Sequence, residues 1–327
     1  MTTLWDTTGG AVVAALAAER RGGGAVMSGL ALTLVVVVDE KHVGEAEEAA
    51  RIAASVHPCR LLMVVRRQVD APVPRLDAEV LIGGRLGRGE SVVMRMYGRL
   101  ALHAESVVLP LLAPDAPVVT WWHGPPPEVI ANDPLGVSAD RRITDCGWLS
   151  DPVAALAVRA EDYAPGDTDL AWTRTTSWRG ALAAAFDSIG ADVTGGAAHG
   201  GPGSPAAHLL AGWLTARLGV RIPVAARSAA GPTGIAGVDL ELSDGGTVTM
   251  ERIDSRNVAV QHGDKPDTVV QLPERSLGEL LGEELRRLDA DQPYGEALGA
   301  ATGMSGLDQR SDRRTHVWLD PTEPANQ

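Results

Sequence analysis

Apolar residues recur with a different rhythm in the two halves of the chain. Leu30 to Val38 (LALTLVVVV) and Arg60 to Val65 are near-continuous apolar segments, the pattern of strands covered on both faces. The helical stretch between them, Val43 to Val56, predicts a βαβ crossover. An alanine-rich helix over Gly10 to Arg21, stopped at Gly22, Gly23 and Gly24, precedes this unit. Two alternating segments, Ala78 to Ile82 and Val92 to Tyr97, flank a glycine-rich turn at Gly83 to Gly89 and predict a hairpin. A helix over about Leu100 to Leu112 then leads to the apolar strand Val118 to Trp122.

Between Gly124 and about Asp169, proline, glycine and aspartate predominate around one helix, Pro152 to Glu161. The domain boundary is placed here, giving an N-terminal α/β domain over 1–163 and a C-terminal α+β domain over 164–327. The second half opens with a helix from Thr176 to Ile189, in which Trp178, Leu182, Ala185, Phe186 and Ile189 share one face. Ser204 and Pro205 supply an N-cap and an N1 proline for a helix that Gly219 ends. Strands follow at Val220 to Ala225, Ile235 to Leu242, Thr247 to Arg252, Asn257 to Gln261 and Thr268 to Leu272, with Asp244, Gly245 and Gly246 as a hairpin turn. Ser276 and Glu279 have capping-box spacing for a helix running to Leu288, and a short helix near Tyr294 to Ala300 precedes a polar tail. The expected fold class is α/β to α+β in two domains: an N-terminal mixed sheet containing the βαβ unit, and a C-terminal, largely antiparallel sheet packed with helices.

The length of 327 residues supports two cores, since a typical domain has roughly 150. A formal charge of −13 argues against a phosphate-backbone partner, because affinity for nucleic acid depends on a basic footprint. The longest apolar segment near the start falls short of the ~20 residues that span a bilayer, and no basic region followed by an apolar one opens the chain. A cytoplasmic protein without membrane or nucleic-acid partners is expected. Cys59 and Cys146 are the only cysteines and have no CxxC spacing, which disfavours a thiolate zinc site.

Chemistry-bearing motifs are sparse. No GxSxG is present to form a nucleophile elbow, and His103 and Glu105 give HxE without the PCxxC of a zinc deaminase. Neither a P-loop nor HExxH occurs. Gly201 to Ala206 (GPGSPA) is read as a loop entering a capped helix. It follows a glycine and alanine loop instead of a strand, and it carries prolines where N–H donors should cradle a pyrophosphate. His57 to Arg60 (HPCR) falls at the N-terminal edge of the second strand, whereas ligands in open α/β sheets favour the carboxyl edge. His57 and Cys59 are therefore read as structural, with a thiol switch as the alternative. No catalytic, metal or cofactor site is expected.

Side chains alternate across a strand, so Trp121 and Trp122 face opposite sides, and one of them is expected at a surface, an interface or a pocket mouth. His123 and a rigid proline run follow. Two further clusters are RRITD, Arg141 to Asp145, and TDLAWTR, Thr168 to Arg174, with Trp178 and Arg179 shortly after. Paired arginines near acids, hydroxyls and indoles either recognise an anionic partner group or form internal salt bridges. Trp178 is assigned to the core from its helical face. The candidate partner-binding set is Trp121, Trp122, His123, Arg141, Arg142, Asp145 and Arg174.

HPCR, SVVLPLLAPDAPVVTWW at 106–122, RRITD, TDLAWTR and EELRRLDAD at 283–291 together resemble the OpcA family, the glucose-6-phosphate dehydrogenase assembly proteins of actinobacteria and cyanobacteria. The similarity extends from about residue 30 to residue 300. It implies a non-enzymatic factor that binds glucose-6-phosphate dehydrogenase, the entry enzyme of the oxidative pentose phosphate pathway, and promotes its assembly or activation. Redox control is associated with the cyanobacterial branch and is not carried over to Cys59 and Cys146. The alternative is a sugar-phosphate or nucleotide sensor, or a cryptic enzyme, using the same arginines at a cleft between the domains.

Overall fold

The computed structural model describes residues 1–22, 30–83, 89–187, 189–201, 203–227, 234–263, 267–312 and 314. Gly23 and Gly24 of the predicted helix stop, the centre of the predicted turn at 84–88, Pro202, and the part of the polar tail beyond Asp312, apart from Arg314, lie outside them. Contacts group the described residues into two units. One comprises Met1–Thr144 and Ser276–Asp289, together with Arg314, the other Asp145–Arg275 and Ala290–Asp312. Each unit thus draws on more than one stretch of sequence, whereas the ranges 1–163 and 164–327 are contiguous.

The first unit contains, in chain order, β1 (Thr2–Leu4), α1 (Gly9–Gly22), β2 (Leu32–Asp39), α2 (Val43–Val56), β3 (Cys59–Arg67), β4 (Arg75–Ile82), β5 (Glu90–Tyr97), α3 (Glu105–Val108), β6 (Val118–His123), α4 (Pro134–Val137) and β7 (Arg141–Thr144). Its strands lie in the order β1-β4-β5-β3-β2-β6-β7. The central strands are parallel, and Val36 of β2 sits between Met63 of β3 and Trp121 of β6. β4 is antiparallel to β5, as the hairpin pattern predicts. Both faces of β2 are covered, which accounts for its unbroken apolar run: Leu34, Val35, Val36 and Val37 are all buried.

Two expectations are corrected in this unit. The helix predicted over Leu100 to Leu112 is three short pieces: a 3-10 turn at Gly98–Ala101, α3, and a second 3-10 turn at Leu109–Leu111. Pro110 lacks an N–H and cannot continue an α-helix. The stretch RRIT, read as part of an irregular connection, is strand β7, parallel to β6 with Arg141 beside Val119 and Arg142 beside Thr120.

The second unit continues with α5 (Pro152–Glu161), β8 (Asp167–Asp169), α6 (Leu170–Thr173), α7 (Thr176–Phe186), β9 (Val193–Gly200), α8 (Pro205–Leu218), β10 (Val224–Ala226), β11 (Ile235–Leu242), β12 (Thr247–Arg252), β13 (Asn257–His262) and β14 (Thr268–Gln271). Its sheet runs β10-β9-β11-β12-β13-β14, antiparallel except for the β9–β10 pair. Leu209, Leu210 and Leu214 of α8 meet Val238, Leu240 and Met250 of the sheet in one buried cluster. β9 (VTGGAAHG) is a correction, because this stretch reads as a loop. A side chain at Gly196 would come within 2.2 Å of the Asp239 carbonyl, so the strand requires a residue with almost no strand propensity. β10 is also shorter than the predicted strand and begins at Val224.

The chain then contributes α9 (Leu277–Glu284) to the first unit and α10 (Gln292–Thr302) to the second. The predicted capping box starts α9: Ser276 Oγ accepts from the Glu279 N–H at 3.3 Å, and Glu279 Oε2 accepts from the Ser276 N–H at 2.7 Å. The helix ends at Glu284, short of Leu288. It packs against α2 so closely that a methyl group on Gly278 would come within 2.5 Å of Ile52 Cβ. In the second unit a methyl on Gly212 of α8 would meet the Ala297 carbonyl of α10 at 2.2 Å.

Candidate functional site

Within the first unit, β6 carries Trp121, Trp122 and His123 into the interior. The expectation that one indole reaches a surface is not met, since Trp121 is 0% and Trp122 1% exposed. β6 is an inner strand, paired on its two edges with β2 and β7, and every one of its residues is buried, so both of its faces are covered. Trp122 packs with Ile130 and Leu135 in the main core, over Gly136, where an added Cβ would stand 3.3 Å from the indole. Trp121, on the opposite face, tilts against His123 with ring centroids 5.0 Å apart. Neither indole N–H has a hydrogen-bond partner among the described residues. His123 Nε2 lies 3.4 Å from Glu45 Oε2, and its ring meets His42 edge-on at 6.0 Å. Among the described residues, no group of three or more His, Cys, Asp or Glu side chains is set to hold a metal ion.

The adjacent strand β7 supplies the arginines. Arg141 forms a buried ion pair with Glu284 of α9 and donates to the Asp289 carbonyl at 2.9 Å. Arg142, also buried, donates to the Ala139 carbonyl at 2.6 Å. A guanidinium offers five donors in a fixed fork, which suits it to satisfying several interior acceptors at once.

Asp145 and Arg174 meet in the second unit. Arg174 donates to both carboxylate oxygens of Asp145, at 2.8 and 2.7 Å, while Asp145 Oδ1 also accepts from the Gly147 N–H at 3.0 Å. Burial disfavours the charged guanidinium, but hydrogen bonds to and the charge of Asp145, with Asp169, outweigh it and hold Arg174 more firmly protonated than a free arginine. Asp145 is buried, and Arg174 is the member of the candidate set with a substantially exposed side chain, at 33%.

Other residues of the TDLAWTR and EELRRLDAD segments complete this knot. Asp169 accepts from the backbone of Cys146 and of Ala171, each at 2.9 Å. Arg179 stacks 3.6 Å from the centre of the Trp172 ring, whose indole N–H donates to Asp291 at 2.8 Å. The sequence held a signal for Asp169, Trp172, Glu284 and Asp291, since all four fall inside segments that carry the family resemblance. Their partners lie 119 to 143 positions away in the pairs Trp172–Asp291 and Arg141–Glu284, beyond any local pattern. Trp178 is buried, as its helical face predicts.

In the HPCR cluster Cys59 and Arg60 are built into the interior, whereas His57 is half-buried and Pro58 exposed. Glu90 accepts from Arg60 at 2.8 Å and, bidentately, from Arg20 at 2.6 and 2.7 Å. Cys59 and Cys146 are both free and buried. Burial alone pushes the Cys59 thiol up to about 12, and burial followed by the charge of Asp169 raises Cys146 well above the usual range. Both are therefore poor thiolates.

Two family descriptions match the chain. Residues 50–161 match the glucose-6-phosphate dehydrogenase subunit N-terminal domain of the OpcA assembly family, and residues 165–298 match its C-terminal domain. A comparison with curated protein sequences returns no match. Among solved structures, the 3-ketoreductase KijD10 from Actinomadura kijaniata, in complex with NADP and TDP-benzene, aligns at 11% identity and a TM-score of 0.39. That alignment covers 88% of this chain and 100% of the other. An oxidoreductase from Sinorhizobium meliloti aligns at 12% identity and a TM-score of 0.46, over 88% of this chain and 99% of the other. No helix among the described residues is long and apolar enough to cross a membrane.

Proposed function

We propose that this chain, which belongs to the OpcA family of glucose-6-phosphate dehydrogenase subunits, is a non-enzymatic assembly factor that binds the dehydrogenase and promotes its active oligomeric state. The supporting observation is the pair of family matches, which together take in the N-terminal and C-terminal domains of that family. Acting on the entry enzyme of the oxidative pentose phosphate pathway, the protein would work in the cytoplasm and need no cofactor of its own.

Activation by population shift makes a small energetic demand. To favour an active conformer tenfold, the activator need bind it only about 1.4 kcal/mol more tightly than the inactive one. A rigid binding surface suffices, provided its shape matches one state of the enzyme better than the other. In this account Trp121, Trp122, Arg141, Arg142 and Asp145 act from the interior, by fixing the strands and turns that shape such a surface, and Arg174 is the candidate with direct access to a partner.

The test is the initial rate and light-scattering mass of the cognate glucose-6-phosphate dehydrogenase with and without this protein. A higher rate, together with a mixed complex or a changed oligomer, is expected. An unchanged rate with no mixed complex overturns the proposal.

A further inference from the structure

We infer that the solvent-facing side of the second unit's sheet is the surface that docks glucose-6-phosphate dehydrogenase, an assignment that rests on the function proposed above. The alternation along β11 separates the two faces. Val238, Leu240 and Leu242 are buried in the core, whereas Asp239 and Glu241 between them point the other way. Register carries this alternation across neighbouring strands. One outer row runs from His199 of β9 through Gly237 and Glu251 to Ala259 and Val269. A second runs from Ala197 through Asp239 and Thr249 to Gln261. Apart from His199 and Gly237, these residues are half-buried or exposed, and Val269 reaches 58%.

Shape and charge both suit a protein partner. The outer rows consist mainly of alanine, glycine, threonine and acidic residues, so no large aromatic side chain stands out from them. At a rise of ~3.3 Å per residue and a strand spacing of ~4.8 Å, the six strands span roughly 550 Å². That is the larger part of the ~800 Å² that each partner contributes to a standard interface.

The charges select the occupant. Asp239, Glu241 and Glu251 share this face with Arg227, which lies 3.2 Å from Glu251 and 3.9 Å from Asp239. His199 Nε2 stands 2.6 Å from Asp239 Oδ2. Three carboxylates against one guanidinium leave the face acidic. A second copy of this chain set against it would bring like charges together, whereas a basic patch on a different protein is complementary. The dehydrogenase is the different protein that family membership supplies.

Titration calorimetry of the full-length chain against its cognate dehydrogenase tests the assignment, with circular dichroism to verify folding. Wild type is expected to bind, and Glu251→Arg and Ala259→Arg are each expected to weaken binding at least tenfold. Val269→Arg lies on an exposed edge strand and provides an equivalent probe should Ala259→Arg fail to fold. If wild type binds and the folded variants match it within twofold, the docking face is wrong while the assembly function stands. If wild type does not bind at all, both fail. A wild-type homodimer that Ala259→Arg converts to monomer would make a second copy the occupant and overturn the inference.

Discussion

Arg141 of β7 and Glu284, the last residue of α9, form a buried ion pair across 143 positions of sequence, with Arg141 Nε 3.1 Å from Glu284 Oε2. Their side chains are only 3% and 5% exposed, so the pair fastens a C-terminal helix into the first unit at the expense of two desolvated charges. Removing one partner strands the other. Glu284→Ala is expected to destabilise the protein by about 3–5 kcal/mol in urea unfolding, and the double variant Arg141→Met, Glu284→Leu should recover most of that loss. A loss below about 1 kcal/mol for the single variant would show that α9 is held by packing alone.

Glu90 makes the stability of the first unit depend on acid. Burial pushes its carboxyl up, but the hydrogen bonds and charges of Arg20 and Arg60 outweigh burial and hold it below the usual carboxylate range. Because the native value is depressed, its contribution is fully present above the unfolded value of ~4.3 and is lost as pH falls through the native one. Denaturant midpoints measured from pH 7 to pH 3 should show wild type well above Glu90→Gln at neutral pH and converging on it below about pH 4. A constant gap between the two would remove Glu90 as the cause.

The thiols should be inert in the native state. With Cys59 raised to about 12, its thiolate fraction at pH 8 is about one in ten thousand. Ellman's reagent is expected to leave both cysteines unmodified in the folded protein over an hour and to titrate two thiols once it is unfolded in guanidinium. Rapid labelling of native Cys59 would revive the thiol switch.

Two glycines of α9 should respond oppositely to alanine. At Gly278 the new methyl would sit 2.5 Å from Ile52 Cβ, whereas at Gly282 its nearest neighbour is Ala53 Cα at an ordinary 3.6 Å. Gly278→Ala is expected to cost about 1–3 kcal/mol by overpacking. Gly282→Ala should be neutral or stabilising by up to about 1 kcal/mol through helix propensity. Thermal unfolding of the two variants distinguishes these outcomes, and equal shifts would contradict the packing.

Trp122 tests whether the interior residues act through the fold. Trp122→Phe keeps much of the apolar volume over Gly136, so it should lower stability modestly and leave activation of the dehydrogenase unchanged. A fully folded Trp122→Phe protein that binds but does not activate would give the indole a direct role.

Elements specified by adjacent residues were legible in the sequence. Val35 to Val38 announce a doubly covered strand, Ser276 and Glu279 announce a helix start, and Asp244 to Gly246 announce a turn. β9 was not, because the close approach at Gly196 selects residues that read as loop. β7 was missed for the opposite reason. Arg141 and Arg142 are charged, and it takes partners such as Glu284 and the Asp289 and Ala139 carbonyls to explain how a strand can bury them. The alternation rule placed Trp121 and Trp122 on opposite faces but could not reveal that layers cover both. The candidate arginines carried two open readings because a fork of donors suits an interior acceptor as well as an external anion.

The first unit closes late in synthesis. Its sheet is spelled out by Thr144, yet α9 follows only after Asp145–Arg275 have been added to the chain. At roughly 5–20 residues per second, ribosomes need on the order of ten seconds to cross that gap. Throughout it, the Ile52 and Ala53 side of α2 and the guanidinium of Arg141 await the helix that covers and neutralises them, which makes the emerging chain a natural substrate for chaperones that shield apolar surface.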